Sequence, residues 1–210
     1  MTTVSEISEL FNYELRNSRG RQWPGAETLQ YINKWLGFIH QILISYDSDL
    51  VKTGSGSFTT TEGTEIYDLS ANAMGDLWVP CHVWLSGLAE LEMVAESERM
   101  PYVINGTNSQ PVSYYLEGDS IGLLPFPDST EYTVNIKYIP EFTSLVNVNS
   151  VIPYKNLFNN VLVEGVKIIA KNREEYGTSV DVALMELFQD KVMSILRKRQ
   201  VQLTQLVPDV

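Results

Sequence analysis

The spacing of apolar residues changes twice along this 210-residue chain. It follows the 3.6-residue helical period at both ends and a two-residue period in the middle. Near the start, Ile7, Leu10, Phe11 and Leu15 predict a helix over Val4 to Asn17, with Ser5 and Ser8 as candidate caps. Arg19-Gly20-Arg21 and Trp23-Pro24-Gly25 break the pattern. Leu29, Ile32, Leu36, Ile39, Leu43 and Tyr46 then make one stripe over five turns, which Trp35, Ile42 and Ile44 widen. That helix is expected to be buried on more than one side and to stop at Asp47-Ser48-Asp49. Late in the chain, Leu157, Val161, Leu162, Gly165, Ile168 and Ile169 predict a helix over Leu157 to Asn172. A charged break follows, and Ser179 or Asp181 would cap a last helix running to about Val201 on Leu184, Leu187, Phe188, Val192, Ile195 and Leu196.

Between these helices the pattern is that of strands. Gly54-Ser55-Gly56-Ser57 reads as a flexible linker or loop tip. Phe58 to Thr61 and Glu65 to Leu69 flank Glu62-Gly63-Thr64 and predict a hairpin. Leu77 to Leu85 reads as a strand with Pro80 near an edge, and Leu88 to Arg99 as a short acidic helix. Val112 to Leu116 and Ile121 to Leu124 make the best hairpin, since Gly118 in their turn tolerates positive φ. Pro125-Phe126-Pro127-Asp128 turns the chain into Tyr132 to Ile139, where Tyr132, Val134, Ile136 and Tyr138 alternate with Thr133, Asn135 and Lys137.

The expected fold is therefore α+β. Residues 1–50 and 150–201 form a helical bundle, residues 51–149 form an inserted antiparallel β region with one short helix, and residues 202–210 form a tail.

Charge is as uneven as hydropathy. Residues 47–141 carry three lysines and arginines against fifteen acids, whereas both flanking segments are nearly balanced. So acidic a middle argues against a broad nucleic-acid-binding surface there. It fits a solvated face, or an electrostatic wall facing DNA in transit or a basic partner. No apolar run is long enough for a membrane span. The first ten residues lack the basic start and apolar block of a signal peptide, and the single cysteine, Cys81, excludes an internal disulfide. A reducing cytoplasm is the expected site of synthesis.

Catalytic patterns are missing. His40 sits in an apolar helix, and the Cys81-His82 pair has no second ligand at metal-binding spacing. No G-x-S-x-G elbow, phosphate loop or G-x-G-x-x-G is present. Glu90, Glu92, Glu96 and Glu98 read as a solvated face, and Asn105-Gly106-Thr107 as a surface loop. No enzyme activity, cofactor or metal is expected. A glycan hydrolase using carboxylates such as Glu92 and Glu117, and a generic cytoplasmic protein-binding module, are the alternatives.

Three stretches taken together carry a resemblance. They are the Tyr31-Ile32-Asn33 helix, Tyr67-Asp68-Leu69, and a block from Pro101-Tyr102 through Tyr114-Tyr115-Leu116-Glu117-Gly118-Asp119 and Pro125-Phe126-Pro127-Asp128 to Tyr138. Their order over residues 25 to 200 resembles the head-to-tail connector, or adaptor, proteins of tailed bacteriophages. Members often have Leu-Pro where this chain has Leu69-Ser70. The resemblance implies a helical bundle with an inserted β region. It implies a ring of about twelve copies under the portal, a DNA channel, a next tail component as neighbour, and a C-terminal segment reaching along the portal. The virion's head–tail junction is the implied location. Arg197, Lys198, Arg199, Leu203 and Leu206 are the candidate portal-docking residues. Trp23 and Trp35 are candidate anchors between copies, with ordinary core as the alternative.

Overall fold

The computed structural model describes residues 2–19, 25–101, 108–175 and 182–205. Two compact units emerge, Met1–Asp47 with Phe142–Val210, and Ser48–Glu141. The mixture of helices with mainly antiparallel sheets is α+β.

The first unit is helical, built from α1 (Val4–Arg19), α2 (Gly25–Ser45), α3 (Asn159–Glu175) and α4 (Val182–Gln205). Thr3, and not Ser5 or Ser8, caps α1. The Thr3 amide donates to Glu6 Oε2 at 3.0 Å and the Glu6 amide to Thr3 Oγ1 at 3.3 Å, a reciprocal capping box. The next free amides of that turn, Val4 and Ser5, donate to the carbonyls of Ser150 and Val148. Burial on α2 extends beyond one stripe, taking in Thr28, Tyr31, Ile32, Trp35, Leu36, Ile39, His40, Ile42 and Leu43, because α1, α3 and α4 all contact it. Tyr46, read as part of the stripe, lies past the helix end and is exposed. Trp35 packs on Phe188 with ring centroids 4.0 Å apart and edge-on to Phe38 at 5.7 Å. Side chains of α2 fasten the segment after residue 141. Asn33 both accepts from the Leu145 amide and donates to its carbonyl, and His40 Nδ1 lies 2.7 Å from the Tyr154 hydroxyl.

Helix limits shift by a few residues: α1 runs on to Arg19, two residues past the expected end, and α3 starts at Asn159, two residues after the expected start. α3 continues to Glu175, three residues into the expected charged break, and α4 continues to Gln205, four residues into the expected tail. The proposed caps Ser179 and Asp181 lie outside the described residues, as does the Asn105-Gly106-Thr107 loop.

The second unit holds two sheets. In the first, β7 (Thr133–Pro140) lies between β1 (Gly54–Thr59) and β3 (Leu77–Leu85), all antiparallel. In the second the order is β2 (Ile66–Asp68), β6 (Ser120–Leu124), β5 (Ser113–Glu117) and β4 (Glu92–Met93). β4 runs parallel to β5, so the region is not wholly antiparallel. Inward side chains of both sheets share one core, with Phe58, Val83, Val134 and Ile136 from the first and Tyr67, Tyr114, Ile121 and Leu123 from the second. The β5–β6 hairpin and the alternating β7 match expectation, with Gly118 at φ 55°. Pro80 lies on an edge strand, next to a register shift that sets Cys81 outside the ladder.

Three readings of this region are corrected. Gly54 to Ser57 is strand, not linker. Its glycines are there because Tyr138 and Met74 fill the space where side chains would stand. Residues 58–61 and 65–69 do not pair with each other: β1 joins β7 and β2 joins β6, so the short loop crosses between sheets. The Tyr67 hydroxyl braces that crossing, accepting from the Thr61 amide at 3.0 Å and facing the carbonyls of Thr61 and Thr64. Finally, Leu88 to Arg99 is not an α-helix. After a turn at Gly87 (φ 75°), Leu91 donates to Val83, β4 pairs with β5, and only Glu96–Arg99 coils, as a 3₁₀ turn. Strand partners on both sides overrode the helical spacing of Leu88, Leu91 and Ala95.

Candidate functional site

The residues singled out in the sequence fall in different places. Arg197 and Lys198 are exposed near the end of α4, and Arg199 is half-buried. Leu203 belongs to the last turn of α4. Leu206 and Trp23 lie outside the described residues. Trp35 is 2% exposed, enclosed by Phe38, Phe188 and the bare Cα of Gly165, so its ring belongs to the core of its own copy.

One concave surface of the helical unit was not anticipated from the sequence. A groove of about 530 Å³ is lined by Thr2, Glu6, Glu9, Leu10, Tyr13, Asn159 and Asn160. Val4, Ile7 and Phe11 turn the buried face of α1 inward, which leaves Leu10 and Tyr13 outward at 51% and 69% exposure. The signal was available, since Glu6, Glu9, Leu10 and Tyr13 are spaced by threes and fours, a second stripe on the same helix.

In the β unit the acids are nearly all exposed. Asp68 and Glu117 both pair with Ser120 from opposite sides, and Asp119 completes the hairpin tip, so three carboxylates gather at one end of the second sheet. Glu65 is different. Arg99 holds it through Nε at 3.0 Å, and the Tyr115 hydroxyl donates to it at 2.7 Å. Burial, then this bond to Glu65, pushes the Tyr115 hydroxyl up. In the first sheet Tyr138 donates to Asp76 at 2.8 Å and is pushed up to about 12, first by burial and then by that bond.

This geometry does not bring together the two carboxylates named for the hydrolase reading. Glu92 is opposite Ser113 at the start of β5 and Glu117 ends the same strand. Four residues of strand are about 13 Å, beyond the roughly 5–10 Å of paired glycosidase carboxylates. Each histidine has a local partner: His40 is buried against Tyr154, and exposed His82 lies 2.8 Å from Glu90. Among the described residues no group of three His, Cys, Asp or Glu could hold a metal, and no helix is long and apolar enough to cross a membrane.

Two exposed features stand out among the described residues, an acidic sheet end and an open helical groove. Comparison with known proteins points to the class of phage head–tail adaptors. The family model described as SU10 adaptor protein matches residues 2–208, and the chain belongs to that family. No curated protein gives a match.

Proposed function

We propose that this chain is a non-enzymatic structural part of a tailed phage. About twelve copies form a ring under the portal, join it to the next tail component and leave a channel for DNA. The observation that carries this reading is the adaptor-family match along nearly the entire chain. Two features support it. The β unit concentrates exposed carboxylates, and an acidic wall does not retain a passing phosphate backbone. The long helix α4 also carries Leu203 in its last turn, on a segment able to reach along a portal.

Negative-stain electron microscopy of the protein mixed with the portal protein of its own genome tests the proposal. A second ring stacked on the portal is the expected result. An undecorated portal beside monomeric protein would overturn it and favour a generic binding module.

A further inference from the structure

The first sheet ends on one bare edge. The Thr60 amide bonds the Tyr132 carbonyl, and the Ser86 amide bonds the Thr133 carbonyl. Backbone bonds alternate along an antiparallel pair, so Val134, Ile136 and Tyr138 of β7 bond toward β1. The same alternation turns the amides and carbonyls of Ser55, Ser57 and Thr59 away from β7. All three residues are exposed, and among the described residues no strand pairs on that side. The other edges of the unit are blunted. β3 carries Pro80 and a register shift at Cys81, and residues Glu90 and Leu91 cover its second half. β2 has three residues and β4 has two. β1 has six residues, with no charge, no proline and no break in register. Folded chains rarely leave such an edge open, because it templates another strand.

We infer that β1 takes an extended segment of the next tail component as a fourth strand of this sheet. The outward row of amides and carbonyls selects an extended, proline-free backbone. A neighbouring copy does not supply it. Two β1 edges would pair about a twofold axis, which stops at a dimer, whereas a ring contact joins two different faces. Among the described residues the next copy has no second straight edge to offer. In the proposed function the end of α4 reaches along the portal, which leaves the β1 edge for the tail side. The inference rests on the ring proposed above and adds the means by which that ring is joined to the tail.

Ser57→Pro tests the edge. It removes one outward amide and leaves the bonds of Gly56 and Phe58 to β7 in place. Rings of wild-type and S57P protein are assembled on the portal and titrated with the next tail protein of the same genome. Portal decoration should be unchanged. S57P should raise the tail-protein concentration needed for half-capped rings about tenfold, and Ser57→Thr should behave as wild type. Hydrogen exchange of the wild-type protein provides a second arm that needs no substitution. The amides of Ser55, Ser57 and Thr59 should gain protection when the tail protein is added to rings, and not when the rings form. Capping of wild-type rings without that protection, or normal capping of S57P rings, would overturn the strand addition and leave the ring intact. Protection gained on ring formation alone would assign the edge to another copy or to the portal and overturn the tail assignment. Undecorated portals would overturn the ring itself.

Discussion

The ring of Tyr115 occupies the space that a β carbon on Gly122, its cross-strand partner, would need: Cε1 and Cζ lie 2.2 Å from that position. The first sheet repeats the device with Tyr138 over Gly54, at 2.3–2.6 Å, again a cross-strand pair. Each hydroxyl then ends on a carboxylate, Glu65 or Asp76. A glycine in a strand costs backbone entropy, and an aromatic ring laid across it restores packing.

Gly122→Ala should therefore destabilise the β unit, although alanine is otherwise the better strand residue. Tyr115 is fully buried and tied to Glu65, so its ring cannot swing clear. Overpacking of this kind costs about 1–3 kcal/mol. Urea denaturation should show a lower midpoint for G122A. An unchanged or higher midpoint would mean that the ring moves freely.

The helical unit offers a paired test of the same logic. An added carbon at Gly165 would sit 2.7 Å from the buried Trp35 ring, whereas at Gly37 it would meet Phe142 at an ordinary 3.7 Å. Both glycines lie inside helices, where alanine is favoured by about 1 kcal/mol. Gly37→Ala should raise the thermal midpoint and Gly165→Ala should lower it. Shifts of the same sign would refute the packing argument.

These glycines also mark where the sequence was legible and where it was not. The helices and the β5–β6 hairpin follow local periods, and local periods can be read. Gly54 and Gly56 looked like a linker because their reasons, Tyr138 and Met74, lie far along the chain. Glu62-Gly63-Thr64 suits a hairpin and a sheet-crossing equally well. Tyr67 and the bond from the Gly63 amide to the Pro127 carbonyl decide between them. Leu88 to Arg99 had helical spacing, but pairing with β3 and β5 competed and won. At the candidate surfaces, the basic end of α4 was visible as a run. The α1 groove was not, because its stripe shares a helix with a stronger apolar one.

Buried tyrosines make stability depend on alkaline pH. Tyr138 is pushed up to about 12, and burial also raises Tyr67, Tyr115 and Tyr154. Below about pH 10 the tyrosines are protonated in both folded and unfolded chains, and their contribution is complete. Between there and pH 12 the unfolded chain releases the Tyr138 proton and the folded one keeps it, so stability falls as pH rises. Each such group adds about 1.4 kcal/mol per pH unit to the slope. Urea titrations from pH 8 to 12 should show this fall, and Tyr138→Phe should flatten it by one proton's worth. Equal slopes for the two proteins would exclude Tyr138 as a source.

The acidic hairpin tip links the fold to the proposed channel. Glu117 and Asp119 are exposed and flank Gly118, and Asp68 lies beside them across Ser120. Replacing Glu117 and Asp119 by lysine should lower folding stability by only about 1 kcal/mol, the loss coming from the exposed pair of Glu117 with Arg99 at 4.0 Å. In assembled particles the same change should slow DNA release triggered in vitro, because a basic tip attracts phosphates that an acidic one repels. Screening weakens that attraction, so the delay should be greatest at low ionic strength and shrink as salt is added. Release that is unchanged at every salt concentration, from particles with intact rings, would place this tip away from the DNA path.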